Sequence, residues 1–409
     1  MPASSASLWS DPDFRRLWAG QTASQLGEQA TLVALPLIAV LTLGARPDQV
    51  GALRAVGQAP LLLLPLFVGA WVDRWRTRTV MVLADLGRAL ALTGAVVAAY
   101  VGGLGLPALV VIAFAVGGLS VFFDVAYQAS VVRLFRRDQL ARANSAIEGS
   151  RSGAQIAGPA LGGALASSSL GIAATALFFA LSFLCIRRIR PDEPVPTQRP
   201  LRIGQRIGDG VRFVAADAAL RTVCLASAAF QFSLAATMTA YLLFLPRDLH
   251  LSGAAVGLVL AATGPGALLG SLLAARLPAR LGYGPVLVGA AAIGDGAFLI
   301  VPTLHSGAAA TVPLLVAANL VFGALGQLVN VTVMVVRQAL TPNQLQGRVA
   351  ATITFAGMGT APLGSLLGGV LATQWGPRTS LAVTAAGMLL SPLLMALSPL
   401  ARIGRDVSS

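Results

Sequence analysis

Glu28 stands in an otherwise uncharged apolar run, preceded by Gln21 and Gln25 at i, i+4, i+7 spacing. A helix puts these three side chains on one face, with Ser24 and Thr31 at the edge of the stripe. Counted from Leu17, Glu28 lies about 16 Å along a helix that rises 1.5 Å per residue. That is near the centre of a hydrocarbon core about 30 Å thick. An ionisable group at that depth costs about 2.5–3.5 kcal/mol on insertion scales, so it is a functional candidate by default. Two readings stand side by side. Glu28 is a carboxyl that takes up and releases protons, or a structural carboxylate held between helices by Arg151. Asp124 shares a helical face with Ser120, Tyr127 and Gln128, about two turns before Arg133, and is a second candidate for proton relay.

Other polar side chains form further faces. Glu148 and Arg151 are three apart, with Asn144 and Gln155 beside them; they read either as an intrahelical pair or as cavity lining. Asp85 and Arg88 repeat that spacing and read as an intrahelical pair. Arg54 suits a side chain reaching outward to headgroups, or a partner for Glu28 or an anionic ligand. In the second half, one face carries Asn319, Gly323, Gln327 and Asn330, and another stretch offers Phe230, Gln231, Ser233, Thr237 and Tyr241. Mostly apolar walls with a few hydrogen-bonding groups suit a bulky, amphipathic ligand. Asp295 stands alone in its run. His250 and His305 have no metal-ligand spacing, and no Ser-His-Asp set lies at a plausible depth. The chain has no lysine, which rules out the lysine-bearing phosphate loop. No enzyme chemistry, metal or cofactor is expected.

The elements that must carry these residues are membrane helices. Hydrophobic residues make up 56% of the chain and charged residues only 11%, against about 25% charged in soluble domains. Mean hydropathy is +0.77. Twelve apolar stretches approach the length needed to cross a bilayer: 17–43, 48–72, 79–101, 106–132, 142–166, 168–186, 218–245, 252–276, 284–303, 310–336, 347–372 and 377–400. The net charge of +13 comes from arginines that cluster in alternate loops. That asymmetry predicts both termini in the cytoplasm and argues against nucleic acid as the partner. Residues 187–215 hold prolines and charges at the midpoint and read as a cytoplasmic linker with a short amphipathic helix over 203–214. The predicted domains are residues 1–186, a linker at 187–215, and residues 216–409. No cleavable signal segment is visible at the polar N-terminus. Two cysteines, Cys185 and Cys224, give no disulfide framework.

An internal repeat supports the division. Residues 131–166 and 335–372 both run from Val-Val-Arg through a polar loop into a helix rich in small residues. Arg133 matches Arg337, and Gly158, Gly162 and Gly163 match Gly364, Gly368 and Gly369. A repeat of half the chain is a duplicated helical bundle, and duplicated hydrophobic bundles are a transporter architecture with the site where the halves meet.

Gly69-Ala-Trp-Val-Asp73-Arg74-Trp-Arg76-Thr-Arg78 resembles the loop between the second and third helices of the major facilitator superfamily. Gly153-Ala-Gln-Ile-Ala-Gly158-Pro159-Ala-Leu-Gly162-Gly163 resembles the second half of the antiporter motif of exporters in that superfamily. With FFDVAYQ and LARANSAIE, the pattern is similar to the branch of drug-efflux and transmembrane secretion-effector proteins that includes enterobactin and macrolide exporters. The resemblance implies an all-α membrane protein of twelve transmembrane helices in two six-helix, pseudo-symmetric bundles around a central cavity. It implies a gating latch of Gly69, Asp73, Arg74, Arg76, Arg78 and Asp124, with Asp124 paired to Arg78 or Arg76. The expected cavity gathers Gln21, Gln25, Glu28, Tyr127, Gln128, Arg151, Gln155, Phe230, Gln231, Thr237, Tyr241, Asn319, Gln327 and Asn330. The expected activity is proton-coupled export of an amphipathic small molecule, such as a drug, antibiotic or siderophore, by a monomer in the bacterial cytoplasmic membrane. The alternatives are a uniporter or importer of another solute, such as a lysolipid or metabolite, and a non-transporting membrane sensor.

Overall fold

The computed structural model describes residues 8–64, 67–68, 72, 75–134, 137–166, 169–190, 203–342 and 344–404. Among them there are helices and no strand. The first half holds α1 (Pro12–Leu41), α2 (Pro47–Leu63), α3 (Thr77–Tyr100), α4 (Leu106–Leu134), α5 (Arg137–Leu165) and α6 (Ser169–Ile186). The linker helix is α7 (Ile203–Ala216). The second half holds α8 (Ala218–Arg247), α9 (Gly253–Ala261), α10 (Thr263–Ala274), α11 (Leu277–Leu281), α12 (Tyr283–Gly296), α13 (Thr311–Leu340), α14 (Gln346–Met388) and α15 (Leu390–Ala396).

Local chemistry sets several boundaries. Asp11 caps α1 by accepting from the Asp13 amide at 2.9 Å, with Pro12 opening the helix; a proline there gives up no helical hydrogen bond. Asp217 caps α8 through the Leu220 amide at 2.8 Å, and Ser252 caps α9 through Ala255. The eighth predicted span is bent between α9 and α10, and the ninth tightens after α12 into a 3-10 turn, Ala297–Thr303. The last two spans run together in α14, broken at Gly376, whose φ of 80° is open to glycine.

Eight helical segments among the described residues are long and apolar enough to cross a membrane. The eight segments and the twelve predicted spans describe the same fold, and four spans are not counted separately for local reasons. The last two merge across Gly376, the second is described as one helix only to Leu63, the sixth is short, and the fifth is diluted by polar and charged residues.

The repeat is visible in the packing. Gly158 and Gly162 of α5 lie against Gln29 and Ala30 of α1, while Gly364 and Gly368 of α14 lie against Phe232 and Ala236 of α8. The third glycine of each set crosses to the other half. A Cβ on Gly163 would stand 2.5 Å from Gly253 O of α9, and one on Gly369 would stand 2.8 Å from Gly51 Cα of α2. Backbones this close need small residues on both sides. At the same end the Asp48 amide donates to Thr373 Oγ1 at 3.0 Å, and the Arg247 guanidinium donates to Ala45 O. The two bundles therefore close on each other at the arginine-poor end.

Candidate functional site

The repeat and its glycines leave space at the opposite end, where each bundle holds its own cavity. The first is about 650 Å³ and draws on α1, α4 and α5. Its lining includes Gln21, Gln25, Asp124, Tyr127, Gln128, Asn144, Ser145, Glu148 and Arg151. Five residues predicted for the cavity thus meet: Gln21, Gln25, Tyr127, Gln128 and Arg151. Glu28, one turn along the α1 stripe from Gln25, is half-buried, and the charges acting on it include Asp124, Arg88, Arg151 and Asp85. The cavity holds hydrogen-bonding capacity the protein leaves unused: Gln21 Oε1 and Tyr127 Oη are buried without a partner among the described residues. Arg151 faces Glu148 at 3.8 Å, both side chains being more than half exposed. Its ion pair is therefore with Glu148, and its action on Glu28 is through space. Gln155 is exposed one turn beyond Arg151 and does not line the cavity.

Asp124 departs from the latch expectation in this conformation. It lines the cavity, where Arg88 and Arg151 act on it. Arg78 instead donates to Arg187 O at the end of α6, and Arg76 is exposed at the start of α3. Gly69, Asp73 and Arg74 lie outside the described residues. The antiporter-motif residues divide as well: Gly158, Gly162 and Gly163 are packing glycines, and Pro159 presents its carbonyl to Gly257. Gly153 has nothing near the place of a Cβ and faces open space, so close helix approach does not explain it.

Asp85 and Arg88 do pair, at 2.5 Å, but in the bundle core with neither side chain exposed. Arg88 also donates to Ser24 Oγ at 2.9 Å and Ser120 Oγ at 3.1 Å, and Asp85 accepts from Ser182 at 2.5 Å. The guanidinium stacks between the rings of Phe123 and Phe179, 4.6 and 4.3 Å from their centroids. Cation–π contact and hydrogen bonds together compensate a charge that burial alone would penalise. Spacing announced the pair and gave no sign of its enclosure, because the serines and rings come from three other helices. Arg54 is half-buried on α2, its Nε without a partner among the described residues.

The second cavity, about 290 Å³, lies inside the C-terminal bundle and includes Phe230, Gln231 and Asn330 among its walls. The remaining predicted residues of that half are elsewhere. Thr237, Tyr241 and Asn319 are core residues, with Asn319 Nδ2 donating to Tyr241 Oη at 2.7 Å. They sit in the half of the bundle that is closed, where helices pack without a gap. Gln327 turns its Cβ toward Gly270 of α10. Asp295, alone in its run, is 3% exposed and lines this cavity.

Two related helical bundles, closed at one end and hollow at the other, define a multi-pass membrane transporter. The sequence profile of the transmembrane secretion effector family matches residues 3–409, and the chain belongs to that family of the major facilitator superfamily. It is 27% identical to the multidrug efflux pump Tap of Mycobacterium tuberculosis, covering 97% of this chain and 98% of that protein. It is also 27% identical to Tap of Mycolicibacterium fortuitum, over 91% of this chain and 92% of that one. Among solved structures, a bacterial homologue of the iron transporter ferroportin in an inward-facing state superposes with a TM-score of 0.77 at 15% identity, covering 95% of this chain and 98% of that one. The nucleoside transporter NupG gives 0.72 at 14% identity, over 94% and 98%. These share the fold. The chain is a transporter, not an enzyme.

Proposed function

We propose that the chain is a proton-coupled exporter of an amphipathic small molecule, working by alternating access with both termini in the cytoplasm. The observation that carries the reading is a set of intramembrane charges at the first cavity: Asp124 lines it, Glu28 lies beside it on the α1 stripe, and Arg88 and Arg151 act on both acids. Two acids that feel each other's charge do not ionise independently, so loading one with a proton changes the field at the other. The 27% identity to a multidrug efflux pump supports export of drug-like cargo. The arginine distribution supports a cavity open to the cytoplasm, where cargo would enter and the proton would leave.

Everted membrane vesicles test this. Wild type is expected to accumulate a fluorescent drug when the interior is acid, and Glu28→Gln to bind the drug while losing gradient-driven uptake. Uptake that persists after the pH gradient is collapsed, or an unimpaired Glu28→Gln, overturns the coupling.

A further inference from the structure

Asp295 is the acid that the proposed export cycle does not use. It lies on α12, about 18 Å from Tyr283 at 1.5 Å per residue, and therefore deep in the apolar layer. Its Oδ2 is buried and has no hydrogen-bond partner among the described residues. Among the described residues it makes no ion pair, although Arg337 lines the same cavity. A carboxylate stripped of water and left without a counter-ion is expensive. Structural intramembrane acids are paired, as Asp85 is with Arg88. Asp295 instead borders a space of about 290 Å³.

The walls say what would fit. Phe230 offers a ring, Met358 and Met395 offer polarizable thioethers, and Gln231 and Asn330 offer amides. Rings and sulfur suit a flat, delocalised cation, and one carboxylate supplies its counter-charge. We propose that Asp295 anchors the positive group of a lipophilic organic cation in this second cavity, a subsite separate from the first cavity. This rests on the reading of the chain as a carrier of amphipathic small molecules and gives that cargo a charge.

The test is binding to the purified, full-length protein in detergent micelles. The probes are dimethylaminostyryl-N-methylpyridinium, a fluorescent permanent cation, and dimethylaminostyrylpyridine, the same skeleton without the N-methyl group and its charge. At pH above the pyridine's own titration, wild type binds both. Asp295→Asn is expected to weaken the cation by about tenfold or more while leaving the uncharged probe unchanged, and Asp295→Glu to recover much of the loss. Equal affinities for the cation in wild type and Asp295→Asn overturn the proposal, as does a parallel loss of both probes. A second measurement needs no variant: carbodiimide modification of wild-type Asp295, followed by mass spectrometry, should be slowed by the cation and not by its uncharged partner. Equal protection by both, or by neither, counts against the site. Gradient-driven uptake in everted vesicles is read separately, so a failed anchor leaves the export reading standing, and failed proton coupling leaves this binding result intact.

Discussion

Substituting the glycines of the α5 motif one at a time separates closure from stability. Gly163→Ala adds a Cβ that would stand 2.5 Å from Gly253 O and 2.6 Å from Gly257 N, both backbone atoms of the other bundle. Neither can turn aside as a side-chain tip would. Overpacking of this kind costs about 1–3 kcal/mol, and the cost falls only on the conformation in which α5 meets α9. A bias of that size is a shift of about 5–150-fold between the two states. Gly162→Ala also meets backbone, at Ala30 Cα 3.0 Å away, but within its own bundle. Gly153→Ala meets nothing. The assay is maleimide labelling of a cysteine at Ala45, which is 4% exposed at the closed end, in a background with Cys185 and Cys224 changed to serine. Gly163→Ala should speed labelling several-fold or more with little change in thermal unfolding, and Gly369→Ala should do the same. Gly162→Ala should lower the unfolding temperature and leave labelling alone, and Gly153→Ala should change neither. Labelling that is the same in Gly163→Ala and Gly153→Ala would refute the assignment of closure to this contact.

Arg88→Met strands the Asp85 carboxylate in the core and is expected to cost about 3–5 kcal/mol; the double variant Asp85→Leu, Arg88→Met should recover part of this in detergent thermal melts. Tyr241→Phe removes the acceptor of the Asn319 amide and should cost about 1 kcal/mol, with drug binding to the first cavity unchanged. In the loop after α8, burial outweighs the pull of Arg378, His250 and Arg247 and holds the Asp248 carboxyl above its usual range. A raised acid is disfavoured when ionised in the folded state, so its cost is absent below the ordinary carboxyl value of about 3.9 and grows as pH rises toward the folded value. Asp248→Asn should therefore raise the melting temperature at neutral pH, with the gain vanishing below pH of about 3.9.

What could be read from the residue string was what repeats or has a period. Gly158, Gly162 and Gly163 were legible because the chain prints them twice, and the structure puts both copies at equivalent contacts. Gln21 and Gln25 were legible because seven residues of helix return to one face. Depth was legible only roughly, which is why Thr237, Tyr241 and Asn319 read as cavity residues: polar groups pointing inward look alike whether the bundle there is open or closed. Arg88 and Asp295 illustrate the complementary difficulty. Both are charges in apolar runs, and what distinguishes them, two rings and two serines around one and an unfilled space beside the other, is supplied by helices distant in sequence. Gln327 read as lining because it shares a stripe with Asn330, yet a neighbouring glycine on α10 draws its helix face inward.

The enclosure of Arg88 constrains how the first bundle moves. One guanidinium ties α3 to hydroxyls on α1 and α4 and is clamped by rings from α4 and α6, while its carboxylate partner holds a serine of α6. Shearing any of these four helices past another would leave a naked charge in oil. The bundle is riveted at its centre, and a transport cycle must tilt it as one piece, with the give confined to the glycine seams between halves.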